Sequence, residues 1–196
     1  GKGDTCLHYN SEILNQAWRL ANGENIYRDV TTPPFAFAAY PPLYFSVVAA
    51  LMKFTGLSFI PAKLFTFIAA LSIGAAFIYL SRKWKKTGWN GLWAAFFLFL
   101  IPAFLFNAVR SHVQIMAVAL SIWSLVFFLQ NRWKAALIIS PLLAALAIYT
   151  KQTQIALPLA IILFLAFRNR RWLIPYLAIL TGAVILPFLW LQAATE

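Results

Sequence analysis

Carboxylates are the side chains of this sequence best suited to acid–base chemistry, and they are confined to its two ends. Four of the five acidic residues lie in the first 29 positions and the fifth is the last residue: Asp4, Glu12, Glu24, Asp29 and Glu196. No carboxylate occurs between residues 30 and 195. A general base or a carboxylate metal ligand must therefore come from the first 29 residues, or from a segment at or after the end of the chain.

The composition is that of an integral membrane protein. The chain is 62% hydrophobic and 11% charged, whereas soluble domains are roughly 45–50% apolar and about 25% charged. Its net charge of +11 is distributed in short clusters between apolar runs, which is typical of cytoplasmic loops. Nucleic acid is therefore not an expected partner. The single cysteine, Cys6, excludes an internal disulfide and a cysteine-rich metal site.

Two short helices are predicted to lie on the membrane surface before the first span. Residues 11–22 place apolar residues at helical spacing among polar ones, and Gly23 follows them. Residues 43–54 are apolar but form only about 18 Å of helix, against roughly 30 Å of hydrocarbon. Pro41 and Pro42 can open this second helix. We predict an outer or lumenal segment over residues 1–61, followed by a transmembrane bundle over residues 62–196, the two forming one membrane domain.

Six transmembrane helices are predicted in the second part of the chain. They cover residues 62–80, 91–108, 113–129, 135–149, 153–167 and 173–191. If the acidic first segment is outside, the basic residues at 82–86, 132–134 and 168–171 all fall inside, as the positive-inside rule requires. Arg110 and Lys151 then lie at outer span ends. The chain starts in a polar segment without Met, and we expect it to be a fragment of a longer protein.

The motifs of the chain resemble those of the GT-C superfamily of membrane glycosyltransferases. They are Gly3-Asp4, then residues 22–29 (NGENIYRD), residues 40–44 (YPPLY) and residues 149–153 (YTKQT). The resemblance covers almost the entire chain and is strongest to the branch of protein O-mannosyltransferases and aminoarabinose transferases. It implies a membrane enzyme that transfers a sugar from a polyprenyl-phosphate carrier to an acceptor on the outer or lumenal face.

The resemblance also implies roles for particular residues. Asp4 matches the loop aspartate of the family and is the candidate general base, because one carboxylate can take the proton of an acceptor hydroxyl. A phosphodiester donor needs cations on the same face, and Lys151 matches the family's lysine. We expect Lys151 and Arg110 to contact the phosphate. Arg28 is a further cation of the outer segment, and Tyr44 is a candidate for stacking on the sugar.

Three alternatives remain open from the sequence. A divalent metal ion could be held by Asp4 with His8 and His112, although their spacing matches no known ligand pattern; no metal residue is assigned. The chain could be a transporter or a scaffold subunit, but no predicted span has a charge at its centre and no internal repeat is visible. It could also be an inactive GT-C homologue, because Thr5 stands where many relatives have a second acid.

Overall fold

A computed structural model describes residues 4–27, 38–85, 87–130 and 135–195. Every regular element within these ranges is a helix, so the predicted all-helical membrane fold is confirmed. In chain order the helices are α1 (Asp4–Ala21), α2 (Pro42–Thr55), α3 (Ile60–Lys85), α4 (Trp89–Leu100), α5 (Pro102–Ala108), α6 (Val113–Phe128), α7 (Ser140–Thr150), α8 (Ala156–Arg168) and α9 (Arg170–Thr195). A π-helical turn (Ala135–Ile139) leads into α7, and a 3-10 turn (Gln152–Ile155) precedes α8.

The lengths of the described helices divide them into two groups. Ile60–Trp84 of α3 and Arg170–Leu189 of α9 are long and apolar enough to cross a membrane, and α4 with α5 is a third candidate if the pair counts as one span. Val113–Phe128, Ala135–Thr150 and Gln152–Arg168 are apolar but have 10–17 residues, at or below the usual minimum of about 17. The number of six spans therefore stays a prediction.

The predicted span over residues 91–108 is not one continuous helix. It consists of α4 and α5, whose axes differ by 84°. Ile101 lies between them with extended backbone (φ −71°, ψ 114°), because the ring of Pro102 disfavours helical geometry in the preceding residue. A proline within an apolar run indicates a bend but not its size.

Helices α1 and α2 end within one residue of the predicted positions. α1 begins seven residues earlier than the predicted 11–22 and ends before Gly23, which has a positive φ of 80°. The Gly23 and Glu24 amides donate to the carbonyls of Leu20 and Arg19 at 3.0 and 2.9 Å, which closes the helix end. α2 has Pro42 in its first turn and is a short helix of 14 residues, as expected for a segment that does not cross.

One hydrophobic core joins α1 and α2 to the bundle. It includes Ile13 of α1, Val48 of α2, Ala62 of α3 and Val113 of α6. The core therefore extends across the predicted boundary between residues 61 and 62. The division of the chain at that boundary stays a prediction.

The remaining helices pack through small and apolar residues. Ser124 of α6 donates its hydroxyl to the carbonyl of Ser140 at 2.8 Å, so α6 and α7 approach closely at a pair of small side chains. A second core holds α7, α8 and α9 together, with Ala144, Ile161 and Tyr176 buried in it. These contacts position the helices relative to one another.

Helix α6 separates two ends of the bundle. It has 16 residues and is thus about 24 Å long. At its C-terminal side the ammonium of Lys83, from the end of α3, donates to the carbonyl of Leu129. We name this side the Arg168 end (Lys83, Leu129, Arg168, Asn169, Trp172) and the opposite side the Lys151 end (Tyr40, Arg110, His112, Gln114, Lys151).

Candidate substrate site at the Lys151 end

Lys151 is held in place by two neighbouring elements. It follows α7 with extended backbone (φ −154°, ψ 120°), between that helix and the 3-10 turn. Its ammonium donates to Oε1 of Gln114, in the first turn of α6, and lies 5.7 Å from the centre of the Tyr40 ring. The half-buried Lys151 side chain is therefore positioned by an amide and an aromatic face.

Arg110 lies in the turn that connects α5 to α6. Its guanidinium carbon is 3.3 Å from the centre of the Phe106 ring, which fixes the planar group by stacking. The side chain is half-buried. A guanidinium held in this way keeps its N–H groups in a fixed orientation for an anion.

His112 has both cations as neighbours. Its pKa is lowered from the ordinary value of 6.5, first by burial and then by the positive charges of Lys151 and Arg110. Its Nδ1 accepts the backbone N–H of Gln114 at 3.2 Å and so caps α6. The imidazole is therefore neutral at neutral pH, with its proton on Nε2. The Lys151 end contains two cations and an uncharged histidine.

The segment before α2 reaches the same end. The hydroxyl of Tyr27 donates to the carbonyl of Tyr40 at 2.7 Å, and Oδ1 of Asn25 accepts the backbone N–H of Tyr27 at 2.9 Å. Because the Tyr40 ring faces Lys151, these bonds connect the first segment of the chain to the cations. Arg28 lies outside the described residues.

Two buried polar residues of α1 were not among the predicted site residues. Nε of Arg19 donates to Oε2 of Glu24 at 3.0 Å. The other two guanidinium nitrogens of Arg19 and the side-chain amide of Gln16 are buried and have no hydrogen-bond partner among the described residues. Glu24 thus orders the turn after α1. The apolar periodicity of α1 gave no sign that these polar residues face inward.

The predicted site residues have different positions in the structure. Lys151 and Arg110 share one end of the bundle, as predicted. Asp4 begins α1, but its side chain lies outside the described part of the chain. Tyr44 is fully buried, and its hydroxyl is 3.0 Å from Oγ1 of Thr66. Burial raises its pKa to about 12. The position of Tyr44 gives it a packing role, and its contact with substrate stays a prediction.

Sequence reasoning missed Gln114 and Tyr40, which position Lys151. A signal for Gln114 was present, since it is the one polar residue in the first two turns of α6, which otherwise contain apolar residues. For a metal ion, the described residues bring no three His, Cys, Asp or Glu side chains together. The donors that gather at the Lys151 end are cations and amides, which suit an anion.

The structure is thus that of a helical membrane protein with two cations near one histidine at one end of the bundle. The family model of dolichyl-phosphate-mannose-protein mannosyltransferases matches residues 39–191, and the chain belongs to this family. The matched range includes Arg110, His112, Gln114 and Lys151. No curated protein and no solved structure matches the chain. Membership of the family makes it a membrane glycosyltransferase of GT-C type.

Proposed function

We propose that the chain transfers a sugar from a polyprenyl-phosphate carrier to an acceptor on the outer or lumenal face of the membrane. The observation that supports this is the convergence of Arg110 and Lys151 beside a neutral His112 at one end of the bundle. The stretch between residues 30 and 195 contains no carboxylate that could neutralise these cations. A phosphate on a lipid carrier supplies the missing negative charge at the membrane surface.

The two cations have separate tasks in this reaction. The guanidinium of Arg110 can donate two N–H groups to the phosphate oxygens, and the ammonium of Lys151 acts as a point charge. Charge accumulates on the carrier phosphate as the bond between the sugar and the phosphate oxygen breaks. Groups that are already oriented toward that phosphate stabilise the transition state more than the bound donor.

The sugar moves by displacement at its anomeric carbon. A bond forms between the acceptor oxygen and that carbon while the bond to the carrier phosphate breaks, and the carrier leaves as a phosphate monoester. The acceptor oxygen loses its proton, which Asp4 accepts as general base. Because the phosphate is a good leaving group, a second carboxylate acid is not required, in contrast to glycosidases.

The test is sugar transfer in proteoliposomes, with a panel of polyprenyl-phosphate sugars and a broad acceptor extract. The wild type is compared with Asp4→Asn, Lys151→Ala and the control Lys63→Ala. Lys63 is an exposed cation at the beginning of α3, near the ring of Phe59. Transfer that is lost in the first two variants and kept in the control supports the proposal.

Other results separate the parts of the proposal. Transfer that persists in Asp4→Asn removes this residue as the base but leaves a glycosyltransferase. Transfer that persists in Lys151→Ala removes the phosphate contact. No transfer from any donor by the wild type, with donor binding retained, identifies an inactive homologue, and no binding of any donor contradicts the proposal as a whole.

A further inference from the structure

The Arg168 end contains a cavity that the glycosyltransferase reaction does not use. The cavity has a volume of about 430 Å³ and lies between the C-terminal ends of α6 and α8 and the start of α9. This volume is within the range of small-molecule sites, roughly 300–1,000 Å³. The length of α6 separates the cavity from the candidate substrate site, so the two cannot be parts of one pocket.

The walls of this cavity are apolar and organised. The rings of Phe128 and Phe164 meet edge to face, with their centres 5.8 Å apart, and Leu165 behind them is buried. The Phe128 ring also lies edge to face against the buried ring of Tyr176, with the ring centres 6.2 Å apart. Aromatic pairs in this geometry stabilise each other. The walls therefore suit a hydrocarbon chain better than a water-soluble ligand.

The opening of the cavity carries polar and cationic groups. Arg168, Asn169 and Trp172 line it together with the phenylalanines. The ammonium of Lys83 donates to the carbonyl of Leu129, which is also a lining residue. Tryptophan and arginine beside an apolar wall are typical of the boundary between hydrocarbon and headgroups.

Among the residues that the structure describes, the cations at this opening have no acidic partner. The sequence contains no carboxylate between residues 30 and 195. Of the described acids, Glu12 and Glu24 lie on α1 or directly after it, and α1 packs in the core that includes Val113, at the opposite end of α6. Neither of these two described carboxylates therefore lies at the Arg168 end.

We propose that the cavity at the Arg168 end binds an anionic glycerophospholipid. Arg168 contacts the phosphate of the headgroup, and the walls formed by Phe128 and Phe164 hold the beginning of an acyl chain. The charge of the opening selects anionic over zwitterionic headgroups, and the apolar walls select a lipid over a free phosphate ion. Bound lipid would hold the ends of α6, α8 and α9 together.

The test is native mass spectrometry of the full chain after removal of endogenous lipid. Phosphatidylglycerol and phosphatidylcholine with identical acyl chains are added in turn, and the bound fraction is measured. Arg168→Gln is the variant, and Arg82→Gln is the matched control, an exposed arginine of the same end that does not line the cavity. Phe164→Ala tests the apolar wall separately.

We expect the wild type to retain phosphatidylglycerol more strongly than phosphatidylcholine. Arg168→Gln should weaken retention of phosphatidylglycerol about fivefold, as expected for one basic residue at a lipid headgroup, while Arg82→Gln leaves it unchanged. Phe164→Ala should weaken retention of both lipids.

Three results would contradict the proposal. One is equal retention of both lipids by the wild type. Another is an equal loss in Arg168→Gln and Arg82→Gln, which would indicate general attraction to a basic surface. The third is displacement of phosphatidylglycerol by millimolar inorganic phosphate or by polyprenyl phosphate, which would assign the cavity to a different anion.

Discussion

The Lys151 end and the Arg168 end both carry cations from the stretch between residues 30 and 195, which contains no carboxylate, but they hold these cations differently. At the Lys151 end, Gln114 and the Phe106 and Tyr40 rings fix the two charges, and both side chains are half-buried. At the Arg168 end, the arginine is exposed at the opening of a cavity. A fixed cation suits catalysis, because it needs no reorganisation during the reaction. An exposed cation suits a lipid headgroup that exchanges with the bilayer.

The largest expected difference between the two ends is in catalysis. Lys151→Ala should lower kcat/KM for sugar transfer about a hundredfold, the cost typical of losing one oriented donor to developing charge. Arg168→Ala, measured beside it in the same proteoliposomes, should change kcat/KM by about twofold or less, the range of a surface substitution. Similar losses in both variants would remove the distinction between a catalytic and a lipid-facing end.

The next effect concerns the packing of the Arg168 end. A Cβ at Gly91, in the first turn of α4, would lie 2.5 Å from Cα of Ile78 in α3. Backbone cannot yield like a flexible side chain, so Gly91→Ala should destabilise the protein by about 1–3 kcal/mol. Thermal unfolding in detergent measures this. Gly182→Ala is the control, because a Cβ there meets no atom within 4 Å, and an equal loss of stability in both variants would contradict the explanation.

A third prediction uses His112 as a reporter of the Lys151 end. Its pKa in the folded protein is lowered by burial and by Lys151 and Arg110. The folded state therefore binds fewer protons than the unfolded state near pH 6.5, and stability should fall as the pH decreases through the folded-state pKa. His112→Asn keeps a good helix cap and should flatten this dependence. Unfolding midpoints between pH 5 and 8 compare the two proteins.

Donor binding should partly reverse the lowering of the His112 pKa. A carrier phosphate beside Arg110 and Lys151 adds negative charge, so it should raise the pKa of His112. The histidine NMR signals can be assigned with the His8→Gln variant, because the chain has two histidines. An anionic phospholipid confined to the Arg168 end should leave the pKa of His112 unchanged. A rise caused by that lipid as well would show that the two ends are not selective for their ligands.

The smallest expected effect is on the contact between the first segment and the Lys151 end. Tyr27→Phe removes the hydrogen bond to the carbonyl of Tyr40. Since the Tyr27 side chain is about half exposed, the loss of stability should be at most about 1 kcal/mol. Donor KM should rise about threefold through looser placement of the Tyr40 ring, with kcat unchanged, whereas Tyr79→Phe, at an exposed tyrosine of α3, should change neither.

The sequence predicted the elements of this fold better than their relative positions. The apolar runs and the double proline predicted α2 as a short helix, because residues 43–54 form only about 18 Å of helix, less than the thickness of the hydrocarbon. The 84° bend between α4 and α5 was not predictable in size, since a proline removes a hydrogen bond without fixing the direction of the next helix.

The candidate site was predictable only in part for a similar reason. The location of Lys151 and Arg110 at the same end of the bundle followed from the order of the predicted spans, which places both residues at span ends on one side of the membrane. The roles of Gln114 and Tyr40 depend on how α6, α7 and the segment before α2 pack. The isolated polar position of Gln114 marks that residue in the sequence, but it does not identify Lys151 as its partner. Tyr44 stands in a recognisable motif, yet burial among α2 and its neighbours directs its hydroxyl to Thr66.

The lack of carboxylates between residues 30 and 195 also determines how this part of the chain responds to acidity. Histidine is the side chain whose ordinary pKa lies between pH 5 and 8, and this stretch contains neither aspartate, glutamate nor cysteine. Its one histidine is His112. That histidine lies beside the two cations proposed to bind the donor. Within this stretch, a change of pH at the membrane surface is therefore expected to alter the charge of the candidate site first.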